Sequence, residues 1–204
     1  IKIIGVEPEG AKAMKISIDN NKLTFLDTVK TIADGVAVKK PGEMPFSIIK
    51  DYVDEIVTVS DYEIMEAFLI LLEKHKLVGE SSGVLSLAAL KKIKEKCKNV
   101  VCLVSGGNID VNMLSRIIDK GLANSGRKTF IDTLIPDRPG TLWRLLNIVA
   151  DTGANVLSVT HNRSTRDVKL GYAKVELELE TMDFEHVENI KKVLTKNNYS
   201  FIIL

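Results

Sequence analysis

The chain lacks what a secreted, membrane-spanning or nucleic-acid-binding protein needs. Its 204 residues include only two cysteines, Cys97 and Cys102. The second lies inside an apolar run, so neither a disulfide framework nor a zinc site is supported, and a reducing cytoplasm is the expected location. No apolar stretch reaches the roughly 18 residues of a membrane span. The longest, residues 64–72, is broken by Glu66 and followed by Glu73-Lys74-His75-Lys76. Charge of one sign is also missing: 28 Lys and Arg face 27 Asp and Glu, a net +1. Without a cationic surplus to neutralise phosphates, a dedicated nucleic-acid partner is not expected. There is no G-x-G-x-x-G and no G-K-[ST], so the nucleotide folds built on those loops are unsupported. No initiator methionine or signal segment opens the chain. Ile1-Lys2-Ile3-Ile4-Gly5-Val6 starts directly on a buried-strand pattern, which predicts a piece of a longer protein.

What is present is ordinary globular sequence, 45% hydrophobic and 27% charged, long enough for one or two domains. Residues 1–6 read as a strand, ended by the turn Glu7-Pro8-Glu9-Gly10. Residues 56–59 read as a second strand. Ser60 with Glu63 forms a capping box for a helix over 61–75, with Ile64, Ala67, Phe68, Leu71 and Leu72 on its apolar face. A further helix is predicted over 82–96, its second half a solvated basic face carrying Lys91, Lys92, Lys94, Lys96 and Lys98. Residues 99–104 form a continuous apolar run of the parallel-strand kind. A helix over 110–122 follows Ser105-Gly106-Gly107-Asn108. Alternating strands and helices predict an α/β domain over residues 1–123. A small polar linker is expected at 124–128. Beyond it, strands at 129–135, 154–161, 172–181 and 200–204 and helices at 141–152 and 183–197 spell β-α-β-β-α-β. That is the ferredoxin-like arrangement over 129–204.

Four motifs in sequence carry a resemblance. Ile3-Ile4-Gly5-Val6-Glu7-Pro8, then Thr31-Ile32-Ala33-Asp34-Gly35-Val36-Ala37-Val38, then Ser105-Gly106-Gly107-Asn108-Ile109-Asp110, then Asp137-Arg138-Pro139-Gly140 stand in the order seen in threonine ammonia-lyases. The chain resembles that family over essentially its whole length: the later part of the pyridoxal-phosphate catalytic domain, of fold type II (tryptophan-synthase-β-like), then an ACT regulatory domain. The resemblance implies conversion of L-threonine to 2-oxobutanoate and ammonia with pyridoxal 5'-phosphate as cofactor. It implies that Ser105 meets the pyridine nitrogen, and a hydroxyl is too weak an acid to protonate that ring. It further implies that Gly106, Gly107 and Asn108 belong to the cofactor pocket, that Glu80 lines it, and that Asp34 and Gly35 shape its wall. Taken alone, Ser105-Gly106-Gly107-Asn108 also reads as a plain strand-to-helix turn with Asp110 as helix cap, and Glu80 as an acid at a helix N-terminus.

No lysine here stands in the context of the family's Schiff-base lysine, so no catalytic residue is assigned and the piece alone is expected to be inactive. Glu7 and the Ala11 carbonyl match positions that hold a divalent cation in related racemases. Ala13 stands where an acidic ligand is found, so no metal is assigned. Asp137, Arg138, Pro139, Gly140 and Asn155 match an effector site of the isoleucine or valine class, with Asn155 acting across a subunit interface. His161 and Arg163 read as surface residues. At least a homodimer or homotetramer is expected. Two alternatives stand beside this reading: a serine or threonine racemase-like enzyme, and a non-catalytic amino-acid-sensing ACT module.

Overall fold

The computed structural model describes residues 1–93, 99–164 and 168–204. The chain divides into two compact units, Ile1–Gly121 and Leu122–Leu204. Among the described residues no helix is long and apolar enough to cross a membrane.

In the first unit, β1 (Ile4–Pro8) pairs in parallel with β2 (Glu55–Val59), from Ile4 opposite Glu55 to Pro8 opposite Val59. The strand starts later than the apolar pattern predicts because the Ile3 N–H donates to Asp54 Oδ2 at 2.6 Å instead of joining the ladder. It also runs on through Glu7 and Pro8, read from sequence as a turn. Pro8 ends the strand, where a missing N–H is tolerated. Two helices, α1 (Ala13–Asp19) and α2 (Glu43–Tyr52), have no counterpart in the sequence reading. The start of α1 is held from a distance: Glu7 accepts the N–H of Met14 at 3.0 Å and of Lys15 at 2.7 Å. Pro45 lies in the first turn of α2, where its missing N–H costs no helical bond.

The capping box forms as predicted. Ser60 Oγ accepts the Glu63 N–H at 3.2 Å, and Glu63 Oε2 accepts the Ser60 N–H at 2.7 Å. It opens α3 (Asp61–Ile70), prolonged by a wider π turn over Leu71–His75. Ile64, Ala67, Phe68 and Leu71 are buried, packed with Val59, Val84, Ala88 and Ile117.

Two expectations are corrected. In place of a helix over 82–96 there is a single turn, α4 (Leu85–Ala88), tightening to a 3-10 turn at Ala89–Lys92 and ending on extended Ile93. Lys94, Lys96, Lys98 and Cys97 lie outside the described residues. Residues 99–104 form no strand. An apolar run becomes a strand only beside a ladder partner, and none of the described strands pairs with it. Val101 and Leu103 are exposed, and the segment is held by Ser86 Oγ donating to the Leu103 carbonyl at 2.7 Å. Asp110 then caps α5 (Val111–Asn124), its Oδ1 accepting from the N–H groups of Asn112 at 2.8 Å and Met113 at 3.1 Å.

The expected linker narrows to residues 125–127, because Asn124 completes α5 and Lys128 opens the next strand. The helix closes in a Schellman motif: Gly126 N–H reaches Ala123 O at 3.1 Å and Arg127 N–H reaches Leu122 O at 2.9 Å, with Gly126 left-handed.

The second unit is the β-α-β-β-α-β arrangement read from the sequence: β3 (Lys128–Pro136), α6 (Thr141–Ala150), β4 (Asn155–Asn162), β5 (Tyr172–Glu180), α7 (Phe184–Lys196) and β6 (Phe201–Ile203). The antiparallel sheet has the order β4-β5-β3-β6. Alternation along β5 sends Ala173, Val175, Leu177 and Leu179 into a core with Ile131, Ile135, Leu145 and Ile190. On the other face Lys174 bridges Asp132 at 2.8 Å and Glu176 at 2.7 Å, and Lys128 pairs with Glu178 at 2.6 Å. The hydrogen bonds to Asp132 and then Glu176 hold the Lys174 ammonium above the ordinary lysine range. The Asp183 carboxylate caps α7 through the His186 N–H at 2.8 Å.

Candidate cofactor pocket and effector turn

In the first unit, residues far apart in sequence converge around Ser105. The Ser105 N–H donates to the Gly83 carbonyl at 3.2 Å, and the Glu80 N–H to the Gly106 carbonyl at 3.3 Å, so the 80–83 turn and the 105–106 turn are laced together. The lacing requires glycines. A Cβ on Gly83 would lie 1.6 Å from the Ser105 carbonyl oxygen, and one on Gly106, whose φ is +77°, would lie 2.5 Å from Glu80 Oε1.

The Asp34–Val36 3-10 turn closes a third side. It is positioned from α3: Asp61 accepts the Thr31 hydroxyl at 2.6 Å and the Ile32 N–H at 3.2 Å. Asp34 Oδ1 accepts the Gly35 N–H at 2.9 Å. A Cβ on Gly35 would meet Ser82 Oγ at 2.7 Å and Glu80 Oε1 at 3.7 Å. Thus Gly35, Glu80, Ser105 and Gly106 are brought together. Asp34 and Gly107 adjoin them in the chain, and Asn108 is exposed beyond, leading into α5. Glu80 precedes α4 by five residues and lies between two loops, so it is not an acid at that helix's N-terminus.

Sequence reasoning missed Ser82 and Gly83. The Ser82 hydroxyl is enclosed and has no hydrogen-bond partner among the described residues. An enclosed, unsatisfied hydroxyl is costly. Here it lies against Gly35, in the same cluster of turns as the exposed Ser105. The residue types fit a flat polar ring such as pyridoxal phosphate: Ser105 offers a neutral donor, and Glu80 and Ser82 supply further polar atoms. The only available signal was Ser82-Gly83 following Glu80, which carries no periodicity.

Glu7, matched with the Ala11 carbonyl to a cation position, is engaged within its own fold. Both oxygens of the Glu7 carboxylate are occupied by the α1 N–H groups, and burial raises its carboxyl above the ordinary range despite those bonds. Among the described residues no three His, Cys, Asp or Glu side chains converge as metal ligands.

In the second unit, residues 137–140 join β3 to α6. The Thr141 hydroxyl donates to the carbonyls of Pro136 and Arg138, each at 2.7 Å, and Gly140 takes a φ of +85°. Arg163, read from sequence as a surface residue, donates its Nε–H to Asp137 Oδ1 at 2.9 Å. His161 Nε2 is enclosed without a partner among the described residues. Asn155 is not brought to this turn. It pairs with Glu180 at the opposite end of the sheet and donates Nδ2–H to Glu180 Oε2 at 3.1 Å, whereas the turn follows Pro136, paired with Tyr172.

Comparison with known proteins agrees with this division. Residues 1–106 match the model of pyridoxal-phosphate dependent enzymes, and residues 129–196 match the ACT domain. The L-threonine ammonia-lyase of Thermotoga maritima is 51% identical over 205 aligned positions, covering the whole of this chain and 51% of that protein. The processed form of threonine deaminase isoform 2 from Solanum lycopersicum is 34% identical, with a TM-score of 0.54, over 58% of this chain and 36% of that one. Maize serine racemase is 31% identical, with a TM-score of 0.53, over 59% of this chain and 39% of that one. The chain spans about half the length of the curated relatives it matches. With its first half matching one family model and its β-α-β-β-α-β unit the other, the chain belongs to the pyridoxal-phosphate dependent enzyme family and carries an ACT domain.

Proposed function

We propose that this chain works as part of an L-threonine ammonia-lyase, supplying the Ser105 side of the cofactor pocket and an ACT unit that responds to an amino acid. The observation that carries the reading is the convergence of Gly35, Glu80, Ser82 and Gly106 beside Ser105. The name of the Thermotoga maritima relative supports the choice of reaction.

Pyridoxal phosphate, when bound, draws electrons from the substrate's α-carbon so that the α-proton and the β-hydroxyl can leave. The chain's own residues set the conditions for that. Ser105 would offer its hydroxyl to the pyridine nitrogen, and a hydroxyl is too weak an acid to protonate it. Gly106, Gly107 and Asn108 would carry the backbone past the ring. Asp34 and Gly35 would shape the wall of the pocket. Glu80 holds a carboxylate between the two glycine turns. None of the chain's lysines is given the imine-forming role. The 137–140 turn would take the effector's carboxylate at the start of α6, and Asn155 would reach the same ligand from a second copy, which makes a homodimer or homotetramer part of the proposal. A cytoplasmic location belongs to it as well.

A racemase is the second reading, and the similarity to maize serine racemase favours it. An ACT unit in the same chain weighs against it. The test is product analysis on the longer protein that contains this chain. Release of 2-oxobutanoate from L-threonine, lowered in Ser105→Ala, is expected. D-amino acid formation without keto acid would overturn the lyase reading.

A further inference from the structure

The second unit contains a cavity of 580 Å³ that none of Asp137, Arg138, Pro139, Gly140 or Asn155 lines. It opens between the ends of β3 and α7, in the size range of small-molecule sites. Its walls include Arg144, Lys169, Tyr172, Asn198 and Tyr199 over an apolar floor that includes Ile135, and among the described residues none that lines it carries a carboxylate. Neither Arg144 nor Lys169 forms an ion pair with a described residue. The negative end of α7 lies close by, but it is quenched: the Leu194 carbonyl accepts the Tyr199 N–H at 3.0 Å, and the Val193 carbonyl accepts Asn197 Nδ2–H at 2.9 Å.

We propose that this cavity binds a small aliphatic carboxylate that has no ammonium group, a 2-oxo acid being the class that fits. The reasoning is one of charge and shape. Two uncompensated cations in a concave site favour an anion, and a guanidinium matches a carboxylate with two parallel donors. The tyrosine hydroxyls and the Asn198 amide can donate to a second oxygen such as a keto group. The floor takes a short alkyl chain. An amino acid is disfavoured, because its ammonium would face Arg144 and Lys169 with no carboxylate to answer it. The cavity adjoins the proposed effector turn through Pro136 and Thr141, but none of residues 137–140 lines it, and the proposal does not depend on that assignment.

The test is calorimetric titration of the chain with sodium 2-oxobutanoate at constant ionic strength, followed by competition with inorganic phosphate and with L-isoleucine. Saturable one-site binding is expected, weakened at least tenfold in Arg144→Gln and in Lys169→Gln, with L-isoleucine failing to compete. Both side chains are exposed, so thermal melts should coincide with the parent. If a variant does unfold, chemical-shift changes at Tyr172 and Tyr199 in the unaltered chain locate the ligand instead. Absence of saturation, unchanged binding in both variants, equal or tighter binding of phosphate, or displacement by L-isoleucine would each overturn the proposal.

Discussion

Gly83 and Ser105 meet backbone to backbone, with the Ser105 carbonyl oxygen lying 1.6 Å from where a Cβ on Gly83 would sit. Neither main chain can yield without breaking the bond from Ser105 N–H to Gly83 O. Gly83→Ala should therefore destabilise the first unit by about 3 kcal/mol or more. Gly140→Ala meets no atom within 4 Å and should cost only the strain of a left-handed alanine, about 1 kcal/mol. Urea denaturation of both variants checks the contrast. Equal losses would mean that the Gly83 contact does not exist in solution.

The enclosed hydroxyl of Ser82 sets a second expectation. In the chain without cofactor, Ser82→Ala removes an unsatisfied polar group and should raise stability by about 1 kcal/mol. A loss of stability in the same assay would show that the hydroxyl has a partner.

Parts of this architecture were legible because their causes are local. Ser60 with Glu63 announces a helix start within four residues, and the strict alternation of Val175, Leu177 and Leu179 with Glu176 and Glu178 announces a half-covered strand. Helix α1 was missed because its N-terminal N–H groups are held by Glu7, which lies before an intervening 3-10 turn. Residues 99–104 were misread because apolarity reports a need for burial and says nothing about a ladder partner. At the candidate pocket, motif resemblance selected Ser105, Gly106, Glu80 and Gly35. The fold adds Ser82 and Gly83, which act through contacts more than twenty residues away along the chain.

Acid stability should respond in opposite directions to two carboxylates. Burial pushes the Glu63 carboxyl up, but the hydrogen bonds from Lys92 and Ser60 outweigh it and leave it below its ordinary value of 4.5. A depressed folded value gives stability that is full above the unfolded value and lost as pH falls through the folded one. Glu63→Gln should thus flatten the loss on acidification. Glu7 is raised by burial, so its contribution favours the fold in acid and is lost as pH rises through its folded value. Glu7→Gln should steepen the acid loss. Urea midpoints from neutral pH down to about 3.5 decide both signs; parallel curves for the two variants would refute the assignment.

The two units offer separate cap tests. Ser60→Ala removes the cap of α3 and Asp183→Ala that of α7, each at a cost of about 1 kcal/mol. Hydrogen exchange should localise the first loss to Ile1–Gly121 and the second to Leu122–Leu204. Uniform deprotection across both units in either variant would indicate that they unfold as one.

The stretch at 99–104 bears on how the protein behaves at high concentration. Val101 and Leu103 are exposed there, on a length of chain that joins no ladder among the described strands. Apolar side chains exposed close together invite association with other molecules. Turbidity that grows with protein concentration, relieved by Val101→Lys or Leu103→Lys, would be the signature of two side chains in want of cover.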